Sequence, residues 1–287
     1  MVDIIIDTIV DSIKLLPFLF ITYLIMEYIE HKMTEKNKKL IQKAGKAGPA
    51  IGGLLGMVPQ CGFSASASNL YVAKIISLGT LLAVYLSTSD EMIPVFLSEQ
   101  VPIKSILLII LIKALIGISF GLFIDIIYNK IHKESRDIDI HHDICSHDSC
   151  HCDSENIFVS SIKHTLSILL YIFIISLVMN MLFYFVGEEK IINLAINKPI
   201  LSQLFCGLLG LIPNCAASVI IAQLYLKNII SFGAMMTGLL IGAGVGLLVL
   251  IKMNKNVKET IKIIALLYCI GLISGIIIDL LNISIAL

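Results

Sequence analysis

Gly53-Leu54-Leu55-Gly56-Met57-Val58-Pro59-Gln60-Cys61 recurs as Gly207-Leu208-Leu209-Gly210-Leu211-Ile212-Pro213-Asn214-Cys215, at an offset of 154 residues. Continued without a gap, that offset pairs Ser64 with Ser218, Leu70-Tyr71 with Leu224-Tyr225, and Ile75-Ile76-Ser77 with Ile229-Ile230-Ser231. It still holds at Gly79/Gly233, Gly117/Gly271, Gly121/Gly275 and Asp125/Asp279. Apolar composition inflates chance matches among Leu and Ile, but not shared Pro, Cys, Gly and Asp in one register. The chain therefore reads as a duplication, with a first repeat over 1–128, a polar linker over 129–156 and a second repeat over 157–287.

Both halves read as membrane-embedded. Of 287 residues 57% are hydrophobic and 15% charged, the formal net charge is +0, and mean hydropathy is +0.93. Soluble domains carry about 25% charged residues, so a soluble enzyme, a disordered chain and a nucleic-acid binder are excluded. A spanning helix needs about 20 largely apolar residues. Ile4–Ile29, Ile103–Tyr128, Ile162–Val186, Phe232–Ile251 and Ile261–Leu281 qualify, and Ile76–Leu97 does so apart from Asp90 and Glu91. Met1 is followed by Asp3, Asp7 and Asp11 rather than by a basic region, so the first apolar stretch is expected to be a retained span. The expected fold is an all-α polytopic membrane protein of two inverted repeats, each with a Pro-broken helix pair, re-entrant or discontinuous, and about ten helical segments in all.

Ala47–Ala73 and Pro199–Leu226 carry no charge at all, yet each has Pro near its middle. Proline removes a backbone donor and clashes with the preceding turn, and unwound backbone at membrane depth is tolerated only inside protein or beside a wet cavity. Small polar residues follow each break: Gln60, Cys61 and Ser64 in one copy, Asn214, Cys215 and Ser218 in the other. Tandem-repeat transporters hold substrate where such broken helices meet. Pro59, Gln60, Cys61, Ser64, Pro213, Asn214, Cys215 and Ser218 are accordingly the candidate substrate-binding residues, whereas Ser66, Ser68 and Gly52 read better as packing residues.

Asp90 and Glu91 lie within a span, and Lys113 lies mid-span. Intramembrane charge is costly and marks pathways or proton relays, so these three are candidates for an ion pathway, with Lys113 a counter-ion or a snorkelling side chain. Asp125 and Asp279 fall near span ends and are expected to be solvated there. Gly238, Gly242, Gly244 and Gly246 read as one face of a helix. If the Pro-Cys stretches are hairpins, 15 of the 21 Lys and Arg fall on one side, against 13 if they are full spans. The first arrangement suits the enrichment of cationic residues in cytoplasmic loops and puts the linker in the cytoplasm.

That linker reads His141-His142-Asp143-Ile144-Cys145-Ser146-His147-Asp148-Ser149-Cys150-His151-Cys152-Asp153. Imidazole and thiolate are ligands for zinc and softer metals. His141, His142, Cys145, His147, Cys150, His151 and Cys152 are candidate ligands of a flexible metal-binding tether. A disulfide framework is not expected in a reducing compartment.

Taken together, the duplicated G-L-L-G-x-[Val/Ile]-Pro-[Gln/Asn]-Cys turns, the His-rich linker and the chain length resemble the ten-span heavy-metal exporters, a family labelled variously as arsenic-efflux proteins or manganese transporters. The resemblance covers essentially the whole chain and implies metal or metalloid export. Oxygen donors at Asp90, Glu91, Gln60 and Asn214 would suit manganese, while Cys61 and Cys215 would suit a softer ion. No G-x-x-x-x-G-K-[ST] motif or nucleophile–base pairing is present, so neither a nucleotide-driven pump nor an enzyme is expected. No resident cofactor is expected either, the transition metal entering as substrate and as linker ligand. The expected partners are the lipid bilayer of the cell membrane and a metal or metalloid ion, with a homo-oligomer open and nucleic acid excluded. Two other classes fit part of the pattern: an anion or organic-solute permease with two hairpins, and a non-transporting metal sensor.

Overall fold

A computed structural model describes residues 47–58, 61–89, 92–131, 157–186 and 199–281, with scattered helical positions between 8 and 24. Among the described residues all regular structure is helical. The first repeat holds α1 (Gly48–Gly56), α2 (Cys61–Val72), α3 (Leu78–Ser87), α4 (Met92–Ser98) and α5 (Ile103–Ile131). The second repeat holds α6 (Ile157–Val186), α7 (Pro199–Gly210), α8 (Cys215–Leu226), α9 (Phe232–Ile241), α10 (Val245–Met253) and α11 (Val257–Leu280). Among the described residues four stretches are long and apolar enough to cross a membrane: Leu78–Ser98, Ile103–Tyr128, Phe232–Met253 and Val257–Leu280.

The 154-residue offset is carried into the helices themselves. It maps the starts and ends of α2 and α3 onto those of α8 and α9, and the starts of α5 and α11 onto each other. Capping explains much of this identity. α2 and α8 both end on a non-glycine residue in the left-handed region, Lys74 with φ 58 and Asn228 with φ 56, the conformation that turns the chain out of a helix. Ser77 and Ser231 then cap the next helices, accepting from Thr80 N and Ala234 N at 3.1 Å in each case. An N-cap hydroxyl satisfies a donor that the first turn leaves unpaired.

Asp125 and Asp279 are not solvated helix ends, as their positions in sequence suggest. Asp125 is buried. Its carboxylate accepts from Ser77 Oγ at 2.5 Å and from Gly79 N at 3.0 Å. Asp279 accepts from Ser231 Oγ at 2.6 Å, from Gly233 N at 2.8 Å and from Gln203 Nε2 at 2.6 Å. Each carboxylate sits against the N-terminus of a helix in its own repeat, where the helix dipole favours negative charge. The glycines bring the backbones close enough for this contact. A Cβ on Gly121 would lie 2.6 Å from Gly79 O, and one on Gly275 would lie 2.6 Å from Gly233 O. Small residues are the usual means of close helix approach in lipid.

Packing follows the same register. α3 packs on α1 and α5 while α9 packs on α7 and α11. The repeats also exchange contacts: α10 packs on α2 and α4 on α8, and α3 meets α9 at the centre. Leu81, Leu82, Met235, Met236 and Leu240 are fully buried in the resulting core. The long helices α5 and α11 turn residues such as Leu107, Leu111, Ile273 and Ile277 outward, which suits a lipid-facing surface.

Candidate functional site at the helix breaks

Two kinds of helix break interrupt the repeats. The Pro-Cys stretches each form two short helices around a turn, the first spanning 9 and 12 residues and the second 12 and 12. At 1.5 Å per residue each is about 14–18 Å long, roughly half a bilayer core. The spanning stretches 78–98 and 232–253 are broken as well. α3 ends at Ser87 with Thr88 as its C-cap, and α9 ends at Ile241 with Gly242 as its C-cap. Thr88 and Gly242 are partners at the 154 offset.

The second break corrects the reading of Gly238, Gly242, Gly244 and Gly246 as one helix face. Gly242 and Gly244 lie in a kink between α9 and α10, and Gly244 adopts φ 52 and ψ −134, backbone that side chains strongly disfavour. The kink also frees a carbonyl. In a continuous helix Leu239 O would accept from Ala243 N, but Ala243 N donates to Ile241 O at 2.8 Å instead.

Lys113 fills that gap. Its side chain is 1% exposed, which rules out snorkelling to an interface. From the middle of α5 its ammonium donates to Thr88 O and, at 2.8 Å, to Leu239 O. One carbonyl belongs to each repeat, and each lies at the C-terminal end of a half-helix, where the backbone dipole carries partial negative charge. Burying an ammonium costs several kcal/mol unless it is well paired, and these carbonyls offset part of that cost.

A second polar cluster lies against α10. Ser68 Oγ is 2.7 Å from Gly246 O and 2.7 Å from Tyr85 Oη, and Tyr85 Oη donates to Gly246 O at 3.1 Å. Ser68 is thus not a mere spacer. Asn69 is fully buried beside it. Tyr23 Oη donates to Asn69 Oδ1 at 3.2 Å, and Asn69 Nδ2 has no partner among the described residues.

Of the residues singled out in the sequence, Ser64 is fully buried and lies directly beneath Gly246, where an added Cβ would sit 2.8 Å from Ser64 Cβ. Ser218 Oγ would lie 3.5 Å from a Cβ on Gly242. Ser64 thus packs against the first turn of α10 and Ser218 beside the C-cap of α9. Asn214 is buried and caps α8, its Oδ1 accepting from Ala216 N at 3.0 Å. Pro213 lies in the turn before it, half-buried. Cys61 and Cys215 are the first residues of α2 and α8, but their side chains lie outside the described residues. So do Pro59, Gln60, Asp90 and Glu91, and the whole His/Cys linker with His141, His142, Cys145, His147, Cys150, His151 and Cys152. Among the described residues no group of three or more His, Cys, Asp or Glu converges on one point.

Sequence reasoning passed over Tyr85 and the Gly242–Gly244 kink, and allowed a break after Ser87-Thr88-Ser89 only as the alternative to an intact span. The polar run Ser87-Thr88-Ser89 inside an apolar stretch was the available signal for the first break. The second break had only its glycines to announce it, and these fit helix packing equally well.

A family model described as "Putative, 10TM heavy-metal exporter" matches the chain in two overlapping segments, residues 1–187 and 153–285. No characterised protein and no solved structure is significantly similar to the chain.

Proposed function

The chain belongs to the family of ten-span heavy-metal exporters, and from that premise we propose that it is a secondary-active carrier that exports a transition-metal cation or a metalloid across the cell membrane. The observation that carries the mechanism is the meeting of two broken helices, one per repeat, around Lys113, whose ammonium donates to Thr88 O and Leu239 O. Kinked helices with exposed carbonyls line substrate and ion sites in carriers built from repeats. In this reading the repeats are inverted relative to each other, the Pro-Cys turns present Gln60, Cys61, Asn214 and Cys215 to the ion, and Ser64 and Ser218 complete the passage. Asp90, Glu91 and Lys113 form the path of the coupling ion. The linker lies in the cytoplasm and collects or senses the metal through its histidines and cysteines.

The anion-permease reading is weaker. Lys113 directs its charge at backbone carbonyls, so that charge is already opposed at the centre. The test is a panel of metal and arsenite sensitivities in cells with and without the protein, with intracellular metal measured. Cells carrying it should retain less of one ion and tolerate more of it. If no metal or metalloid changes in tolerance or content, the export reading fails. Exchange of Asp90 and Glu91 for amides should uncouple transport from the ion gradient, and transport that remains coupled would remove them from the pathway.

A further inference from the structure

The start of α11 is cationic and faces outward. Lys255, Lys258 and Lys262 are exposed there, at the head of a stretch long and apolar enough to cross a membrane. The partial positive charge of a helix N-terminus adds to these ammonium groups instead of opposing them. The one acid of the first turn, Glu259, is turned toward the first repeat, where its Oε1 accepts from Tyr71 Oη at 2.5 Å. That bond also sets the end of α2, with its exposed Lys74, beside the start of α11. Neither Lys258 nor Lys262 pairs with an acid among the described residues.

These lysines head an apolar stripe. Lys258 and Lys262 lie one turn apart on one helix face, and Ala265, Cys269 and Ile273 continue that face, all of them exposed. From Lys262 to Ile273 the helix rises about 16 Å at 1.5 Å per residue, close to half of a hydrocarbon core about 30 Å thick. The stripe is therefore about one leaflet deep. Ala265 and Cys269 are small, and Ile261 beside them is 60% exposed, which leaves a shallow track along the helix. The matched helix of the first repeat lacks this pattern. At the 154 offset Lys255, Lys258 and Lys262 correspond to Val101, Lys104 and Leu108, so only one of the three charges is duplicated.

We propose that this face of α11 seats an anionic phospholipid, its phosphate between Lys258 and Lys262 and an acyl chain along Ala265, Cys269 and Ile273. Ammonium groups form charge-assisted bonds to phosphate oxygens, and basic side chains beside a spanning helix attract anionic headgroups. The apolar stripe decides for a lipid over a free phosphate, which would use the lysines and leave the stripe idle. The inference does not draw on the carrier reading, and binding alone reads it out.

The experiment uses the full chain, delipidated in detergent, as wild type, Lys258→Gln/Lys262→Gln, Lys258→Arg/Lys262→Arg and Lys104→Gln. Binding of phosphatidylglycerol and of phosphatidylcholine with the same acyl chains is measured by native mass spectrometry, and thermal midpoints are recorded with each lipid. Each lysine near a headgroup should contribute about 5-fold, and the pair about 25-fold. Wild type should prefer phosphatidylglycerol by about that factor, and the midpoint should rise with it. The Gln pair should lose the preference, the Arg pair should keep it, and Lys104→Gln should bind as wild type does. Should the Gln pair not survive extraction, the two single Gln variants take its place, each with about a 5-fold loss. Equal binding of the two lipids by wild type overturns the proposal. So does a preference that survives in the Gln variants, or one that Lys104→Gln lowers as much, since either would make the attraction diffuse. Full displacement of phosphatidylglycerol by an equal concentration of sn-glycerol 3-phosphate also overturns it, because the acyl chain would then contribute nothing. A lipid preference in a chain that exports no metal would leave this site standing and remove the function above, and metal export without the preference would do the reverse.

Discussion

Exchange of Asp125 for Asn, and separately of Asp279 for Asn, tests the principal joint of each repeat. The carboxylates are isosteric with the amides, so packing is retained while charge and one acceptor are lost. Asp125 accepts from Ser77 Oγ at 2.5 Å and Gly79 N at 3.0 Å. Asp279 makes the equivalent pair and also accepts from Gln203 Nε2 at 2.6 Å. Hydrogen bonds to a charged group contribute about 1.5–3 kcal/mol in water-soluble proteins, and interhelical bonds in membranes average about 0.6 with a maximum near ~1.7. With one acceptor kept in each case, Asp125→Asn should cost about 2 kcal/mol and Asp279→Asn about 3. Ser77→Ala should cost about 1–2 kcal/mol as a lost N-cap. The Asp125→Asn and Ser77→Ala pair should be non-additive by about 1–1.5 kcal/mol, because each removes the same bond. The chain has no Trp, so unfolding is best followed by far-ultraviolet circular dichroism in mixed micelles of rising denaturing-detergent fraction. Solvated helix ends would leave both amides within about 0.5 kcal/mol of wild type. That result, or an Asp279→Asn cheaper than Asp125→Asn, would refute the buried-clamp reasoning.

The other predictions concern the close approaches, the kink, the Gly246 cluster and the linker. Gly275→Ala forces a methyl toward Thr237 Oγ1 and to 2.6 Å from Gly233 O. It should destabilise by about 1–3 kcal/mol through overpacking, seen as a lower melting midpoint or a smaller monodisperse fraction in size-exclusion chromatography. Gly244→Ala meets no atom within 4 Å but imposes a side chain on φ 52. It should cost about 1–3 kcal/mol from backbone strain alone, and a substitution as well tolerated as one on the lipid face would contradict the kink. Ser68→Ala and Tyr85→Phe each leave Gly246 O with the other hydroxyl. The double variant should therefore lose more than the two single losses combined, in a melting assay run on all four proteins. Deletion of 141–153 should reduce metal export in part without abolishing it, as measured by cellular metal content, whereas complete loss would favour a sensing role.

The legible part of this fold was whatever the duplication printed twice. Ser77, Gly79 and Asp125 recur as Ser231, Gly233 and Asp279, and the register alone said that they belong together. What it did not say is why, since a carboxylate near a span end looks the same in sequence whether it faces water or caps a neighbouring helix. Lys113 was visible as an oddity, but its carbonyl partners were not, because backbone acceptors carry no sequence signature. The Gly242–Gly244 kink was ambiguous for a related reason: glycine serves close packing and unusual dihedrals equally well. The serines at 64 and 218 stood out because they match at the offset beside each break, but their neighbours, Gly246 and Gly242, required the fold.

The departures from duplication point to where the two halves do different work. At matched positions the first repeat has Ser68, Tyr85 and Lys113 where the second has Ala222, Leu239 and Leu267, while the second has Gly242 and Gly246 where the first has Thr88 and Met92. The first repeat thus supplies side-chain donors and the second supplies accessible backbone. The bonds follow that division, with Ser68 and Tyr85 directed to Gly246 O and Lys113 to Leu239 O. A side chain can swing away from a carbonyl without unfolding the helix that bears it, whereas the carbonyl moves only with its helix. Loss of Ser68, Tyr85 or Lys113 therefore removes contacts to α9 and α10 without altering the backbone of either helix. The Asp125 and Asp279 joints tie α3 to α5 and α9 to α11 within each repeat, whereas no such carboxylate joint is described where α2 meets α10, α4 meets α8 and α3 meets α9 across the repeats.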